Sequence, residues 1–95
     1  MKDQDILILK TILKRHLNPK KNRAFIFGSQ ATKKSSRTSD LDVGVIGQPL
    51  AGKTYFELKA DLEESNLPFT VDLVDFNDVS DTFKQVAEQK IVKLI

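Results

Sequence analysis

The sequence predicts an α/β (α+β) domain of about three strands and three or four helices, and three observations carry that expectation. Segments with a helical apolar period alternate with short runs of strand character. One stretch, from Phe25 to Val45, opens as an apolar strand and turns at Gly28-Ser29. It then passes ten basic and hydroxyl-rich residues and returns as a strand carrying Asp40 and Asp42. A third strand-like run, Phe69 to Asp75, holds Asp72 in its middle.

Residues 3–17 place Ile6, Leu9, Ile12, Leu13 and Leu17 at helical spacing. Asp3 and Asp5 at the start and Lys14, Arg15 and His16 at the end suit the helix dipole. Asn18-Pro19 stops the helix. Ile8 widens the apolar stripe and suggests burial on more than one side. His16, the single histidine, is expected at the helix end and not as a metal ligand.

Arg23 to Phe27 is nearly all apolar, the pattern of a strand buried on both faces. Gly28 breaks it, and Ser29 is placed to cap a short helix over Gln30 to Lys34, whose free N–H groups would attract an anion. Lys33 to Ser39 should be an exposed loop. In the strand Leu41 to Ile46, alternation sets Asp40, Asp42, Gly44 and Ile46 on one face and Leu41, Val43 and Val45 on the other. Gly47 to Gly52 is a turn. Thr54 to Asn66 reads as a helix with Tyr55, Leu58 and Leu62 on its apolar face. In the third strand Phe69, Val71 and Leu73 oppose Thr70, Asp72 and Val74. A last helix is expected over about Ser80 to Leu94, aligning Phe83, Val86, Ala87, Ile91 and Leu94.

Ninety-five residues, 40% hydrophobic and 29% charged, fit a single domain over 1–95. The lack of cysteine excludes disulfides, thiolate metal sites and cysteine nucleophiles. With no membrane-spanning run and no leader in the sequence, a cytoplasmic location is expected. The net charge of +2 hides an asymmetry. Residues 1–53 hold eleven Lys/Arg against four Asp/Glu, and residues 54–95 hold four against nine. A basic half around a Gly-Ser turn suits a polyphosphate, although one basic and one acidic solvated face explain the charge as well.

Asp40 and Asp42 lie two apart on a strand, so both carboxylates leave one face with their backbones roughly 7 Å apart. Two such carboxylates repel unless a cation lies between them, and Mg²⁺ is the usual one. Gly44, next on that face, is expected to leave room for a ligand. If the third strand lies beside the second, Asp72 becomes the third carboxylate of a two-metal site, which activates a hydroxyl and clamps a phosphate. The bland alternative has Asp40 capping a turn and Asp72 paired with a lysine. Asp75, on the opposite face near the strand end, is expected to be structural.

A second motif competes. Gly47 to Thr54 (GQPLAGKT) satisfies the P-loop pattern G-x-x-x-x-G-K-[ST] between a strand and a helix. The 41 residues that follow are too few for a P-loop sheet, and this reading leaves Gly28, Ser29, Asp40 and Asp42 without a role.

Gly28-Ser29, ten residues, then Asp40-Leu41-Asp42, with SDLDVGV at 39–45 and FTVDLVDF at 69–76, resembles the minimal nucleotidyltransferase (MNT) domain of the DNA polymerase β-type nucleotidyltransferase superfamily. The similarity runs along essentially the whole chain. It implies a nucleotidyltransferase fold, a small mixed three- to four-stranded sheet flanked by three to four helices. It also implies transfer of a nucleoside monophosphate, AMP from ATP in the first instance, to a hydroxyl with release of pyrophosphate. Asp40 and Asp42 match the paired ligands of two Mg²⁺ ions, and Asp72 the third carboxylate, which helps hold the catalytic metal and deprotonates the acceptor. Gly28 and Ser29 match the triphosphate turn.

Many relatives have arginine after Gly-Ser and glycine three residues later, where this chain has Gln30 and Lys33. Lys33 and Arg37, with Lys34, are the nearby sources of positive charge for the nucleotide. The resemblance further implies a HEPN-domain toxin as partner, this chain acting as its antitoxin by adenylylating a tyrosine. A non-catalytic antitoxin on the same fold is the alternative. With no further domain for the acceptor, either the acceptor docks on the open face or a partner completes the site. Tyr55 and the apolar stripe of the first helix are candidate contacts, with membership of the core the favoured alternative. Membrane association and direct nucleic-acid binding are not expected.

Overall fold

The computed structural model describes residues 2–28, 40–87 and 90–95, with the backbone alone at 86–87. Helix α1 spans Asp3–His16. The Lys2 N–H donates to Asp5 Oδ2 at 3.3 Å at its start. Leu9, Ile12 and Leu13 are buried, whereas Leu7 is exposed, so α1 buries one face only. Leu17 leaves the helix in an extended conformation, and Asn18 Oδ1 accepts from the Lys20 N–H at 2.9 Å to form the following turn.

Strand β1 (Asn22–Phe27) is central in the sheet, whose order is β3-β2-β1-β4. It runs antiparallel to β2 (Asp40–Gly47). Helix α2 (Gly52–Glu63) carries the chain to β3 (Thr70–Asp75), which lies parallel to β2. A helix between two parallel strands is what parallel pairing requires of a connection. Helix α2 begins two residues before the expected start and ends three before the expected end. Ser65 Oγ donates to Leu62 O at 2.6 Å there, closing the last turn.

The two sheet faces differ. One is covered by α1 and α2, with Leu41, Val43, Val45, Leu58, Leu62, Val71 and Leu73 in the core. The other carries a smaller cluster, Phe25, Phe27 and Phe76. The alternation expected for β2 and β3 is therefore observed. Asp75 is structural, as expected: its Oδ1 accepts from Asn77 N at 2.9 Å and Asn77 Nδ2 at 3.0 Å, capping a 3₁₀ turn over Phe76–Asp78. Tyr55 belongs to the fold, half-buried against the core and donating its hydroxyl to Leu73 O at 3.0 Å.

The last expected helix is corrected. Helix α3 covers only Asp81–Ala87, and Val92–Lys93 forms β4 on the second edge of β1. The Leu94 and Ile95 N–H groups both donate to Ala24 O, at 2.9 and 3.2 Å. Apolar spacing accounted for side chains alone. The buried strand β1 also needs backbone partners on its far edge, and the β-branched run Ile91-Val92 supplies a segment that pairs readily.

The room expected at Gly44 is filled. A Cβ there would lie 2.6 Å from Phe76 Cε1 and 2.8 Å from two atoms of the Phe25 ring. Glycine lets the aromatic cluster sit directly on β2. Gly44→Ala is therefore expected to cost about 2 kcal/mol through overpacking. Thermal unfolding should show it as a Tm lower by roughly 10 °C.

At the far end of α1, Asp61 Oδ2 accepts from Arg15 Nη1 at 2.8 Å and His16 Nε2 at 2.9 Å. The His16 hydrogen bond foremost, then the Arg15 hydrogen bond and charge, holds the Asp61 carboxyl below its ordinary range. His16 is thus a helix-end residue tying α1 to α2. Among the described residues no helix is long and apolar enough to cross a membrane.

Candidate active site

Parallel pairing of β2 with β3 sets Asp42 directly beside Asp72, and Asp40 beside Thr70. Neighbouring strands are about 4.8 Å apart, so Asp42 and Asp72 leave adjacent backbones on the same face. On the other side of β2, Asp42 is paired with Phe27, the residue before Gly28. The row across the sheet thus reads Asp72, Asp42, Phe27, with Asp40 two residues before Asp42 on β2. Asp40 and Asp72 are exposed and Asp42 is half-buried.

The charges interact. Partial burial first, then Asp72 and then Asp40, raise the Asp42 carboxyl above its ordinary value. Burial and the two neighbouring carboxylates thus both disfavour its charged form. The oxygen donors suit a hard divalent ion such as Mg²⁺. Among the described residues no three acidic or histidine side chains converge on a preformed metal cage. The fit lies in donor chemistry and in a shared, solvent-facing strand end.

Gly28 adjoins this row with φ +77°, and a Cβ built on it would lie 2.5 Å from Asp42 Oδ2. Its backbone approaches the carboxylate in a way only glycine permits. The sequence indicated a tight turn here but not its contact with Asp42, because the two residues meet only through β1–β2 register. Ser29, Lys33 and Arg37 lie outside the described residues, as do Gln30 and Lys34, and with them the expectations of a capped helix at 30–34 and a loop at 33–39. The Phe76 ring over Gly44 was also illegible, since it comes from beyond the end of β3.

The P-loop motif is elsewhere. It follows the C-terminal end of β2, whereas Asp40 and Asp42 are at the opposite end. Its Gln48 N–H donates to Lys21 O at 3.1 Å, and Asn22 Nδ2 donates to Gln48 O at 2.7 Å. Through Gln48 the loop is strapped to the turn before β1. Lys53 is 86% exposed, its ammonium 4.0 Å from Glu57. It is a surface lysine in a helical (i, i+4) pair.

Comparison with known proteins agrees with this geometry. The family described as polymerase beta, nucleotidyltransferase matches residues 8–94. The chain is 34% identical over 93 residues to the "Probable protein adenylyltransferase MntA" of Haemophilus influenzae, covering 97% of this chain and 80% of that protein. It is also similar to a crystal structure of a toxin–antitoxin with AMP-PNP, at 26% identity and TM-score 0.76, covering 95% of this chain and 72% of the other. A third similarity is to the tri-AMPylated Shewanella oneidensis HEPN toxin in complex with MNT antitoxin. There the identity is 26% and the TM-score 0.74, covering 100% of this chain and 72% of the other. A helix–strand–strand–helix–strand order, three aspartates on one sheet face and a family match over 8–94 together lead to one assignment: the chain belongs to the polymerase β nucleotidyltransferase family.

Proposed function

We propose that this protein transfers AMP from ATP to a tyrosine hydroxyl of a HEPN-type toxin and acts as that toxin's antitoxin. The observation that carries the reading is the pairing of Asp42 with Asp72 beside the Gly28 turn. It is supported by similarity to an adenylyltransferase and to an antitoxin bound to an AMPylated toxin.

Asp40 and Asp42 would hold two Mg²⁺ ions, with Asp72 completing the ligands of the catalytic one. When bound, these ions neutralise phosphate charge and lower the pKa of the attacking hydroxyl. Gly28 and Ser29 would hold the triphosphate tail, with Lys33 and Arg37 as sources of positive charge. Asp72 accepts the proton of the acceptor hydroxyl as its oxygen bonds to the α-phosphorus. The bond from that phosphorus to the bridging oxygen breaks and pyrophosphate leaves. Asp72 lies on β3, an edge strand of the described sheet, and is exposed, which suits an acceptor arriving from outside. Cytoplasmic ATP is the natural substrate pool for this reaction.

The test uses ATP labelled separately at the α- and γ-phosphate, with Mg²⁺ and the co-purified HEPN partner. Protein-bound α-label on the partner is expected. Release of γ-label as free phosphate, lost in Lys53→Ala, overturns the reading in favour of an NTPase. A toxin neutralised with neither label moved leaves a non-catalytic antitoxin.

A further inference from the structure

The face that carries the acids also carries four phenylalanines. Phe25, Phe27 and Phe76 are buried. Phe83, on α3, has its ring centroid 6.1 Å from that of Phe27 at 82° and 5.7 Å from that of Phe76 at 58°. Both are tilted ring contacts of the favourable kind. Yet Phe83 remains 43% exposed. The two contacts fix the ring without burying it, beside the residue that pairs with Asp42 and precedes Gly28. Of the other exposed large apolar residues, Leu7 and Phe56 belong to α1 and α2, the helices that cover the other face, and the aliphatic Ile91 precedes β4.

We infer that Phe83 is the platform against which the nucleobase of the bound nucleotide stacks. This rests on the reading of the site as a nucleotidyl-transfer centre. With the triphosphate at the Gly28 turn and its α-phosphate at the carboxylates, two directions for the nucleoside run over the described residues. One crosses Asp72 and the free edge of β3, where the acceptor hydroxyl enters. The other passes back over Phe27 to Phe83, among the described residues the one exposed aromatic ring attached to the cluster beside the acids. Every base has a π-face, so such a platform supplies affinity and little choice among bases. Base preference is then set elsewhere.

Calorimetry on the full chain with Mg²⁺ tests this, using ATP and inorganic tripolyphosphate as probes. Phe83→Leu keeps an apolar side chain against Phe27 and Phe76 but removes the π-face. It is expected to raise the Kd for ATP about tenfold and leave tripolyphosphate binding unchanged. Phe83→Trp should bind ATP at least as tightly as the wild type. Equal weakening for both probes, or wild-type ATP affinity in Phe83→Leu, overturns the platform. Transfer of α-label by the wild type, assayed in parallel, separates the two readings. Transfer with Phe83-independent ATP binding removes the platform alone. Phe83-dependent binding without transfer removes the activity alone, and a wild type that does not bind ATP removes both.

Discussion

Asp42→Asn is expected to lower AMP transfer on the order of 10³-fold while leaving the melting temperature no lower than that of the wild type. The activity loss follows from metal ligation. Metal stabilisation of a phosphoryl transition state is worth several kcal/mol, and about 1.4 kcal/mol corresponds to a factor of ten. The stability half follows from the pKa. Asp42 has its folded pKa raised by partial burial, Asp72 and Asp40. Its ionisation therefore works against folding. That cost is absent below the unfolded pKa and fully present once the pH passes the folded pKa. At neutral pH the asparagine keeps the shape and removes the like charge. Label transfer and thermal unfolding on the same preparation check both halves. A Tm well below wild type would mean that Asp42 holds the fold together, and the activity loss would then say nothing about metal ligation.

Gly28→Ala should damage both stability and activity. The residue has φ +77°, where an alanine side chain is strained by roughly 1–2 kcal/mol. Its Cβ would also meet Asp42 Oδ2, 2.5 Å away. The carboxylate must rotate or the β1–β2 pairing must shift. Misplacement of a reacting group by about 1 Å costs on the order of 10²-fold in rate. Denaturant unfolding and label transfer at saturating ATP are the measurements. Gly52→Ala is the control, because a Cβ there meets nothing within 4 Å and its φ is not positive. If Gly52→Ala abolished activity and Gly28→Ala did not, the phosphates would have to be sought at the other end of β2.

The sequence by itself determined the strand faces and the chemistry on them. Period-2 alternation in 41–46 and 69–75 put Asp42 and Asp72 opposite the apolar residues of their strands, because a half-buried strand admits only one such arrangement. Helices α1 and α2 and the structural role of Asp75 were legible for similar, local reasons. The tertiary structure decided what depends on partners distant in the chain. Whether Asp72 stood beside Asp42 depended on a parallel β2–β3 pairing, which no local period encodes. Val92–Lys93 form a strand and not the end of the last helix because β1 needed a second edge partner, and that demand is invisible to side-chain spacing. Gly44 was read as open space, yet Phe76 fills it from beyond the end of β3. The close contact of Gly28 with Asp42 likewise arises only when antiparallel register brings Phe27 against Asp42. Local pattern sets which face a side chain takes, and register sets which side chain it meets there.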